Sequence, residues 1–600
     1  MARIGFCGPS YESISLNADA QKCLNFYTEN VESGSGASGT ILVPTPGLEL
    51  FAALPGNSYR GGTDINGRHF VVVDGVLYEV FADKTSHVLG NVAIDGNPVS
   101  FGASVIELLV ASGGSGYVFN LTSGVFTGPI ANLNTVIQVG YTDGYFVALL
   151  ANSQTIILSG LLDGLTWDPA QKAIVSVFPG LVKSMVVDHR EICLLGNRQS
   201  VCYYDSGAVF PYDVIPGGFM EKGCEITFGA TKLDNSYLWW GEDKDGGRMA
   251  WRAQGYSPAR ISTHALENEI KNYAKVTDAV SYSYQEGGHT HWVTDFPSAE
   301  KAWAYDVATS SWHERRYWNT LEGAYHSPLV QFHTWVFGKH LVGGRQSGNI
   351  YQMSEPVLVN GVWKFATDNG AVIRRVRRSP HINTELQRAR QSSLQIHLET
   401  GLGPIPPLAG QGSTTVLVLA SANGSLWNLL VLDTGIEQVR PDNALGDVAS
   451  TLFLNNPANT LSWQITVSNL GILVANPVAL GNYPNSFLMV SISGTKLYSL
   501  QINGGITQFV DQGSVARDPQ GVINWSDDGG HTWRGNRIVN CGQAGKYRTR
   551  ARILRLGAPR DRVFEFVWAE PVPCRIIDAY LQGEGMPVTK RLAASLREQS

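Results

Sequence analysis

The chain has 600 residues, which is more than a single hydrophobic core organises, so we expect at least two domains. It is 44% hydrophobic and 16% charged, a composition that indicates a globular protein and argues against a disordered one. The net charge of −6 excludes nucleic-acid binding by the surface as a whole, so any DNA contact has to be local.

The N-terminus and the cysteines indicate synthesis in a reducing cytoplasm. The opening residues, Met1 to Ile4, lack the apolar run of a signal peptide. The seven cysteines are scattered, odd in number and never spaced as C-x-x-C, so we expect buried or inert thiols and neither disulfides nor a zinc site. These residues are Cys7, Cys23, Cys193, Cys202, Cys224, Cys541 and Cys574.

Residues 1–60 are predicted to form an N-terminal arm and docking segment. The Gly-Ser-rich run from Gly34 to Gly39 has the composition of a flexible joint. Two interpretations stay open: a loosely ordered terminus, or a segment that straps neighbouring subunits together.

Residues 61–378 are predicted to form a β-propeller. Alternating strands meet Gly, Asp or Asn turns and recur at roughly 40 to 50 residues, the length of a propeller blade. The doublets Asp74-Gly75 and Asp143-Gly144 are strong hairpin signals. Six or seven blades of roughly this length fit the segment, and the sequence does not fix the number.

Residues 379–403 and 514–588 read as two halves of a β-sandwich-like tip domain. Between them, residues 404–513 are poor in charge and rich in Asn, Gly, Ser and Val, which indicates an inserted all-β module. Residues 589–600 are expected to be a short C-terminal tail. The predicted fold class is therefore all-β, with a propeller-like central domain and a sandwich-like tip carrying the insert.

The sharpest local motif matches S-x-D-x-G-x-T-W, the Asp box of sialidases, and predicts a capped hairpin turn. In sialidases the box recurs far from the catalytic site, and this chain has one good copy without a recognisable arginine triad. The motif therefore signals fold rather than chemistry. Its residues are Ser526, Asp528, Gly530, Thr532 and Trp533.

Two arginine-rich stretches stand out against the acidic average, and alternating residues of a strand share one face. We expect either a basic surface that faces phosphates or an acidic neighbouring subunit, or a solvated strand face with arginines paired inside the domain. The interface or lumen candidates are Arg374, Arg375, Arg377, Arg378, Arg548, Arg550 and Arg552.

Catalytic and metal-binding sets are not recognisable. His289 and His291 have the i, i+2 spacing of one strand face, but no third ligand follows at a convincing spacing, so we expect core or surface histidines. Walker A, G-x-S-x-G and H-E-x-x-H motifs are missing from the sequence. We predict no enzyme, no cofactor and no metal.

Both ends of the chain carry recognisable runs of residues. The opening carries Gly8-Pro9-Ser10-Tyr11 and Asn25-Phe26-Tyr27-Thr28-Glu29. The ending carries Leu398-Glu399-Thr400-Gly401, the Asp box, and the run from Arg555 to Phe566. In these runs the chain resembles the packaged-DNA stabilisation, or tail nozzle, proteins of short-tailed bacteriophages. The resemblance covers about four-fifths of the chain and leaves out the 404–513 insert.

This resemblance implies a structural virion protein that forms a hexameric ring below the portal and adaptor. Such a ring extends the DNA channel, helps to retain packaged DNA and conducts it during ejection. The expected partners are the adaptor and portal, tail fibres or tailspikes, and double-stranded DNA without sequence preference. Two alternatives remain: an adsorption protein whose insert binds a host-surface glycan or protein, and a sialidase-like glycosidase.

Overall fold

The computed structural model describes most of the chain with side chains and part of it as backbone strands only. Side chains are described within residues 1–34, 36, 38–242, 246–359, 363–383, 385, 387–400, 519–542 and 550–583. Between residues 416 and 514 the backbone of nine strands is described.

The N-terminal arm (residues 1–60) contributes strands to both parts of the molecule. β1 pairs with the last strand of the chain, and β2 and β3 form a small hairpin. The arm is therefore anchored within its own chain. Its strands are β1 Ala2–Arg3, β2 Tyr11–Glu12, β3 Ala20–Gln21, β4 Cys23–Leu24, β5 Phe26–Asn30, β6 Thr40–Pro44 and β7 Gly47–Ala53.

The first four blades follow in chain order, each a meander of antiparallel strands. The first has β8 Tyr59–Ile65, β9 Arg68–Val73, β10 Val76–Val80 and β11 Ser86–Asn91. The second has β12 Ser100–Ala103, β13 Glu107–Ser112, β14 Gly114–Asn120 and β15 Phe126–Thr127. The third has β16 Asn134–Thr142, β17 Tyr145–Leu150, β18 Thr155–Gly160 and β19 Asp163–Ile174. The fourth has β20 Val182–Asp188, β21 Glu191–Gly196, β22 Ser200–Asp205 and β23 Tyr212–Met220.

The last three blades differ in how they end. The fifth has β24 Thr231–Leu233, β25 Ser236–Glu242, β26 Arg248–Arg252 and β27 Ala259–Arg260, followed by helix α1 His264–Lys271. The sixth has β28 Val280–Glu286, β29 His289–Phe296, β30 Lys301–Asp306 and β31 Ser311–Arg315. After the hairpin β32 Tyr317–Asn319 and β33 Ala324–His326 come β34 Val330–Val336, β35 Lys339–Gly344 and β36 Asn349–Ser354, which start the seventh blade.

The arm completes the propeller, because β7 is the fourth strand of the seventh blade, antiparallel to β36. The first strand of each blade lies beside the first strand of the next, and β34 returns to β8. The described residues thus form a closed ring of seven blades, which confirms the predicted propeller.

Both faces of a blade are buried, so its strands are continuous apolar runs rather than alternating ones. In β9, Val71 and Val73 pack into one interblade core, while Phe70 and Val72 pack into the next. Both predicted hairpin turns form, and Asp143 and Gly144 have φ of 51° and 88°, as a two-residue turn of type I′ requires.

The C-terminal part is a sandwich of two sheets. Before it in the chain, β37 Val357–Val359 and β38 Val362–Lys364 form a separate hairpin, while β39 Thr367–Asp368 and β40 Ala371–Val372 extend the seventh-blade sheet beyond β7. The strands of the sandwich are β41 Arg375–Arg378, β42 Ile382–Asn383, β43 Arg390–Thr400, and, after the insert, β53 Gln520–Ser526, β54 Arg534–Asn540, β55 Ala551–Gly557, β56 Asp561–Trp568 and β57 Cys574–Glu584. One sheet has the order β5-β6-β57-β43-β55 and the other β4-β41-β56-β53-β54. Between them lies a core that includes Phe26, Leu394, Phe566 and Trp568.

The insert is also all-β at the level of its backbone, as predicted. It has one sheet of order β45-β44-β50-β51-β52 and a second of order β46-β47-β48-β49. The strands are β44 Val416–Ala420, β45 Trp427–Val431, β46 Gln438–Asp442, β47 Ala449–Asn455, β48 Ser462–Ser468, β49 Gly471–Pro477, β50 Phe487–Val490, β51 Lys496–Asn503 and β52 Ile506–Ser514.

One expectation about the cysteines is wrong, because Cys193 and Cys202 form a disulfide. They lie directly opposite each other on β21 and β22, where cross-strand side chains are close together. The other five are free, and burial raises the pKa of the Cys23 and Cys224 thiols to about 12, which makes them unreactive. Among the described residues, no helix is long and apolar enough to cross a membrane.

Candidate functional site

The first arginine stretch lies where the arm, the propeller and the sandwich meet. β41 is an inner strand, between β4 of the arm and β56. Its neighbours cover the strand, so Arg375 and Arg377 are fully buried, whereas Arg374 and Arg378 are partly exposed. These guanidinium groups are used within the chain.

Arg377 holds the beginning of the arm. Its Nε donates to the carbonyl oxygen of Phe6 at 2.5 Å, and Nη1 donates to the carbonyl oxygen of Pro9 at 2.9 Å. Nη2 donates to Gln21 Oε1 at 2.6 Å. Arginine suits this position because it presents several donors in a fixed planar array. The carbonyls it binds belong to irregular backbone, which has few strand partners of its own.

Arg375 lies deeper and has weaker partners. Its Nη2 donates to the carbonyl oxygen of Thr45 at 3.4 Å. Burial lowers the pKa of Arg375 to about 10 and raises the pKa of the buried Asp368 to about 7, while the attraction between the two groups opposes both shifts. Arg375 is thus a buried cation on the sandwich side of the seventh blade.

Arg378 links the arm to the sandwich at the surface. It donates to Glu12 at 2.8 Å and to Glu565 at 2.9 Å, and its guanidinium carbon lies 4.6 Å from the centre of a ring of Trp533. Arg374 lies 4.3 Å from a ring centre of Trp318 in the β32–β33 hairpin. The outer pair of arginines therefore stacks on aromatic rings, an arrangement that guanidinium groups favour.

Three further residues, none of them predicted as a site residue, complete this junction. Lys22 Nζ lies 2.7 Å from Glu314 Oε2, an ion pair between the arm and the sixth blade. The side-chain amide of Asn25 donates to the carbonyl oxygens of Arg316 at 2.9 Å and Arg374 at 2.8 Å. Asn25 has φ of 56°, and asparagine tolerates that left-handed conformation better than most residues.

The Asp-box turn is closed by its own side chains. Asp528 Oδ1 accepts from the backbone amide of Thr532 at 2.8 Å, and Ser526 Oγ accepts from the amide of Gly530 at 2.8 Å. Hydrogen bonds from Ser526 and Thr532 lower the pKa of the exposed Asp528 carboxyl. Because both carboxylate oxygens serve the turn, this aspartate has a structural position.

The same turn rests on the arm. A side chain at Gly529 would place its Cβ 1.9 Å from Asn17 Oδ1, and one at Gly530 would lie 3.0 Å from the Ala20 Cβ. Both glycines have positive φ, 76° and 100°. The turn therefore requires glycine for its backbone shape and for close approach to the arm.

The second arginine stretch is separated from this junction. Arg548 lies outside the described residues. Arg550 is partly exposed, and Arg552 is exposed on β55, whose alternate residues Ala551 and Ile553 face the core. A further arginine, Arg562, is buried and bound by both carboxylate oxygens of Asp527, at 2.6 and 3.0 Å.

The two histidines predicted to share a strand face, His289 and His291, are buried. His289 is bonded to Asp306 at 2.8 Å, and His291 packs edge-on against His313, which the sequence spacing did not reveal. In the part of the chain with described side chains, one group brings three possible metal-ligand atoms together: Glu191 with Cys193 and Cys202. Since those cysteines are joined in the disulfide, the group is not a free ligand set.

The comparisons with known proteins agree with this architecture. A family model described as Bacteriophage P22 Gp10, beta-propeller, matches residues 21–357, and a second, Bacteriophage P22 Gp10, beta-sandwich, matches residues 492–584. No curated protein matches the chain.

Two solved structures are distantly similar. PorZ, a bacterial surface component of the type-IX secretion system of Porphyromonas gingivalis, is 10% identical with a TM-score of 0.32, over 85% of this chain and 69% of that one. The N-terminal domain of Nup159 is 12% identical with a TM-score of 0.31, over 55% of this chain and 98% of that one. TM-scores this low carry no inference about this chain.

The first family match alone spans more than half of the chain and covers the seven-bladed ring from β4 onwards. The second covers the Asp box and the C-terminal strands of the sandwich. The chain therefore belongs to the bacteriophage P22 Gp10 family, structural proteins of the phage tail that stabilise packaged DNA.

Proposed function

We propose that this protein is the subunit of a ring-shaped tail nozzle, which continues the DNA channel below the portal and adaptor. In this proposal six copies form the ring, retain the packaged genome and conduct it during ejection. The protein is made in the cytoplasm of the bacterial host and assembled into the virion tail. The family match to both domains is the observation that carries the proposal.

The architecture suits a rigid subunit in the wall of a channel. A closed propeller leaves only short sheet edges, and here its sixth blade continues into the sandwich through the pairing of β31 with β4. The buried contacts of Arg377 and the Lys22–Glu314 ion pair fix the arm across the same junction. One subunit is thus tied into a single body, which supports a static role rather than turnover.

The Asp box favours the same conclusion over a glycosidase. Asp528 is occupied by hydrogen bonds of its own turn, and Gly529 is packed against Asn17 of the arm. The motif therefore joins two segments of the chain. We propose no catalytic residue.

A DNA-retention assay tests this function. Phage particles assembled without this protein are expected to lose their packaged genome, measured as DNA that becomes sensitive to added nuclease. Addition of the purified full-length chain to freshly filled particles is expected to restore protection. Particles that retain their DNA equally well without the protein would contradict the proposal.

A further inference from the structure

The charges of the chain are divided between its two main parts. Residues 59–373, which contain the blades, carry 21 lysines and arginines against 30 aspartates and glutamates. Residues 374–403 together with 514–584, which contain the C-terminal strands of the sandwich, carry 17 against 10. The molecule is therefore electrically polar, with an acidic propeller and a basic sandwich.

Part of this basic charge lies along one edge of the sandwich. β54 ends one sheet and β55 ends the other, and these two edge strands lie side by side. We call this surface the basic edge. It carries four exposed arginines on the two strands and a fifth, Arg560, in the turn that follows β55. None of the five forms an ion pair with a carboxylate among the described residues: Arg534, Arg537, Arg552, Arg555 and Arg560.

The basic edge is also apolar. Ile538 on β54 and Leu554 on β55 are 66% and 56% exposed. Protein interfaces combine an apolar centre with a polar rim, whereas the phosphate backbone of DNA offers no apolar surface to such side chains. The composition of the edge thus favours a protein partner over DNA.

A surface of complementary composition lies on the third and fourth blades, at their outermost strands β19 and β23. We call it the acidic face. Four aspartates lie on these strands or at the adjoining end of β22, against one exposed lysine, Lys172 on β19. None of the four forms an ion pair in the described part of the chain: Asp163, Asp168, Asp205 and Asp213. The same strands and their flanking turns expose large apolar side chains: Leu161 at 61%, Leu162 at 60%, Ile174 at 59% and Val209 at 92%.

We infer that the basic edge of one copy docks on the acidic face of the next copy of this chain. The two surfaces match in charge sign and in exposed apolar area, and both run along sheet edges. A contact between two different surfaces of identical subunits is head-to-tail, which is the kind of interface that closes into a cyclic ring. The inference rests on the proposed ring and names the surfaces that form it.

Charge reversal in two separate variants tests the pairing. The edge variant carries Arg537→Glu, Arg552→Glu and Arg555→Glu, and the face variant carries Asp168→Lys and Asp213→Lys. The edge variant places like charges at every interface and the face variant removes the attraction there, so we expect ring formation to weaken at least about tenfold in each. An equal mixture should recover ring formation in part, because the new glutamates of one copy then face the new lysines of the next.

A matched control keeps the charge change and moves it elsewhere. Lys84, Lys232 and Lys275 are exposed on the first, fifth and sixth blade regions. Changing all three to glutamate should leave ring formation unchanged. Circular dichroism and thermal unfolding of every variant establish that the fold is retained. Ring formation is then read from sedimentation, as the mass of the complex that each variant forms with the portal–adaptor complex.

The outcomes separate this inference from the proposed function. Native rings together with an edge variant that assembles normally would overturn the inference and leave the nozzle intact. Loss of assembly that the mixture does not restore would overturn the pairing of these two surfaces. If the edge variant loses affinity for a short DNA duplex while rings persist, the edge binds DNA instead. A native chain that never forms a ring contradicts both proposals.

Discussion

Lys22 Nζ lies 2.7 Å from Glu314 Oε2, so an ion pair joins the N-terminal arm to the sixth blade at the point where β4 pairs with β31. Glu314 is 1% exposed, and the attraction of Lys22 lowers its pKa against the raising effect of burial. The same pair raises the pKa of Lys22 although burial opposes it. The charged pair is therefore the form that the fold stabilises.

Lys22→Met is expected to lower the free energy of unfolding by about 3–5 kcal/mol, because it leaves a buried carboxylate without its main partner. The measurement is equilibrium denaturation in urea. Lys364→Met is the matched control, since its ion pair with Glu49 at 3.1 Å is about half exposed and should contribute about 1 kcal/mol or less. Equal losses of unfolding free energy in the two variants would show that the Lys22–Glu314 pair stabilises the fold no more than an exposed ion pair does.

Arg377→Met is expected to release the beginning of the arm. It removes the donors to the carbonyl oxygens of Phe6 and Pro9 and leaves the buried acceptor of Phe6 unpaired, at a cost of about 1–3 kcal/mol. Limited proteolysis should then cut within residues 1–22 faster than in the native chain. Arg377→Lys keeps the charge but not the planar array of donors, so its cleavage rate should fall between the two. A cleavage rate unchanged in Arg377→Met would contradict the assigned contacts.

The docking of the arm should depend on pH through His381. Its Nδ1 lies 2.6 Å from Asp561 Oδ2 and its Nε2 lies 2.8 Å from the carbonyl oxygen of Leu16, so both nitrogens face acceptors. The hydrogen bond with Asp561 raises the pKa of His381, ahead of the opposing effect of burial. The stabilisation is fully present below the unfolded value of 6.5 and is lost as the pH rises through the folded pKa.

Amide exchange of residues 13–20, corrected for the intrinsic effect of pH, measures this loss. We expect exchange in the native chain to accelerate as the pH rises above the unfolded value of 6.5 and through the raised folded pKa of His381. His381→Gln should remove that dependence and leave exchange fast throughout. Protection that stays constant over the same range in the native chain would show that His381 does not control the arm.

Gly529→Ala should destabilise the contact between the Asp box and the arm. The new Cβ combines a positive φ with a clash against Asn17, so we expect a loss of about 2 kcal/mol or more. Gly557→Ala is the control, because Gly557 has φ of 80° with nothing within 4 Å of the added atom, and it should cost about 1 kcal/mol. Thermal and urea unfolding give the comparison, and a smaller loss at Gly529 than at Gly557 would refute the packing argument.

Changing Arg548, Arg550 and Arg552 to glutamine tests the second arginine stretch. If these side chains face a neighbouring subunit, the triple variant should fold normally and fail to form rings on the adaptor. Light scattering of the mixed complex gives the mass. Normal assembly would count against an interface at this stretch, and a lower affinity for DNA without any change of mass would place the arginines at the lumen.

The sequence predicted the local features of this fold better than its long-range ones. The Asp-box turn could be predicted because its hydrogen bonds join residues at most four positions apart. The number of blades could not, because β15 and β27 have only two residues each and the seventh blade is completed by β7 from the arm. Pairings between distant segments leave no periodic signal in the chain.

The burial of the first arginine stretch could not be predicted from the sequence either. A run of like charges usually indicates a solvated face, yet Arg375 and Arg377 are buried. The reason is that irregular backbone of the arm brings carbonyl oxygens to them, and no local pattern records which distant carbonyls those are. Likewise, Asn25 and Lys22 lie in a stretch whose residue types are ordinary, and their partners follow some 290 positions later.

The mass and shape of the purified full-length chain, alone and mixed with the portal–adaptor complex, decide whether it builds a nozzle. Light scattering and negative-stain imaging give both quantities. We expect a sixfold ring with an axial channel that forms at least on the adaptor. A chain that remains monomeric and does not bind the adaptor would contradict the nozzle.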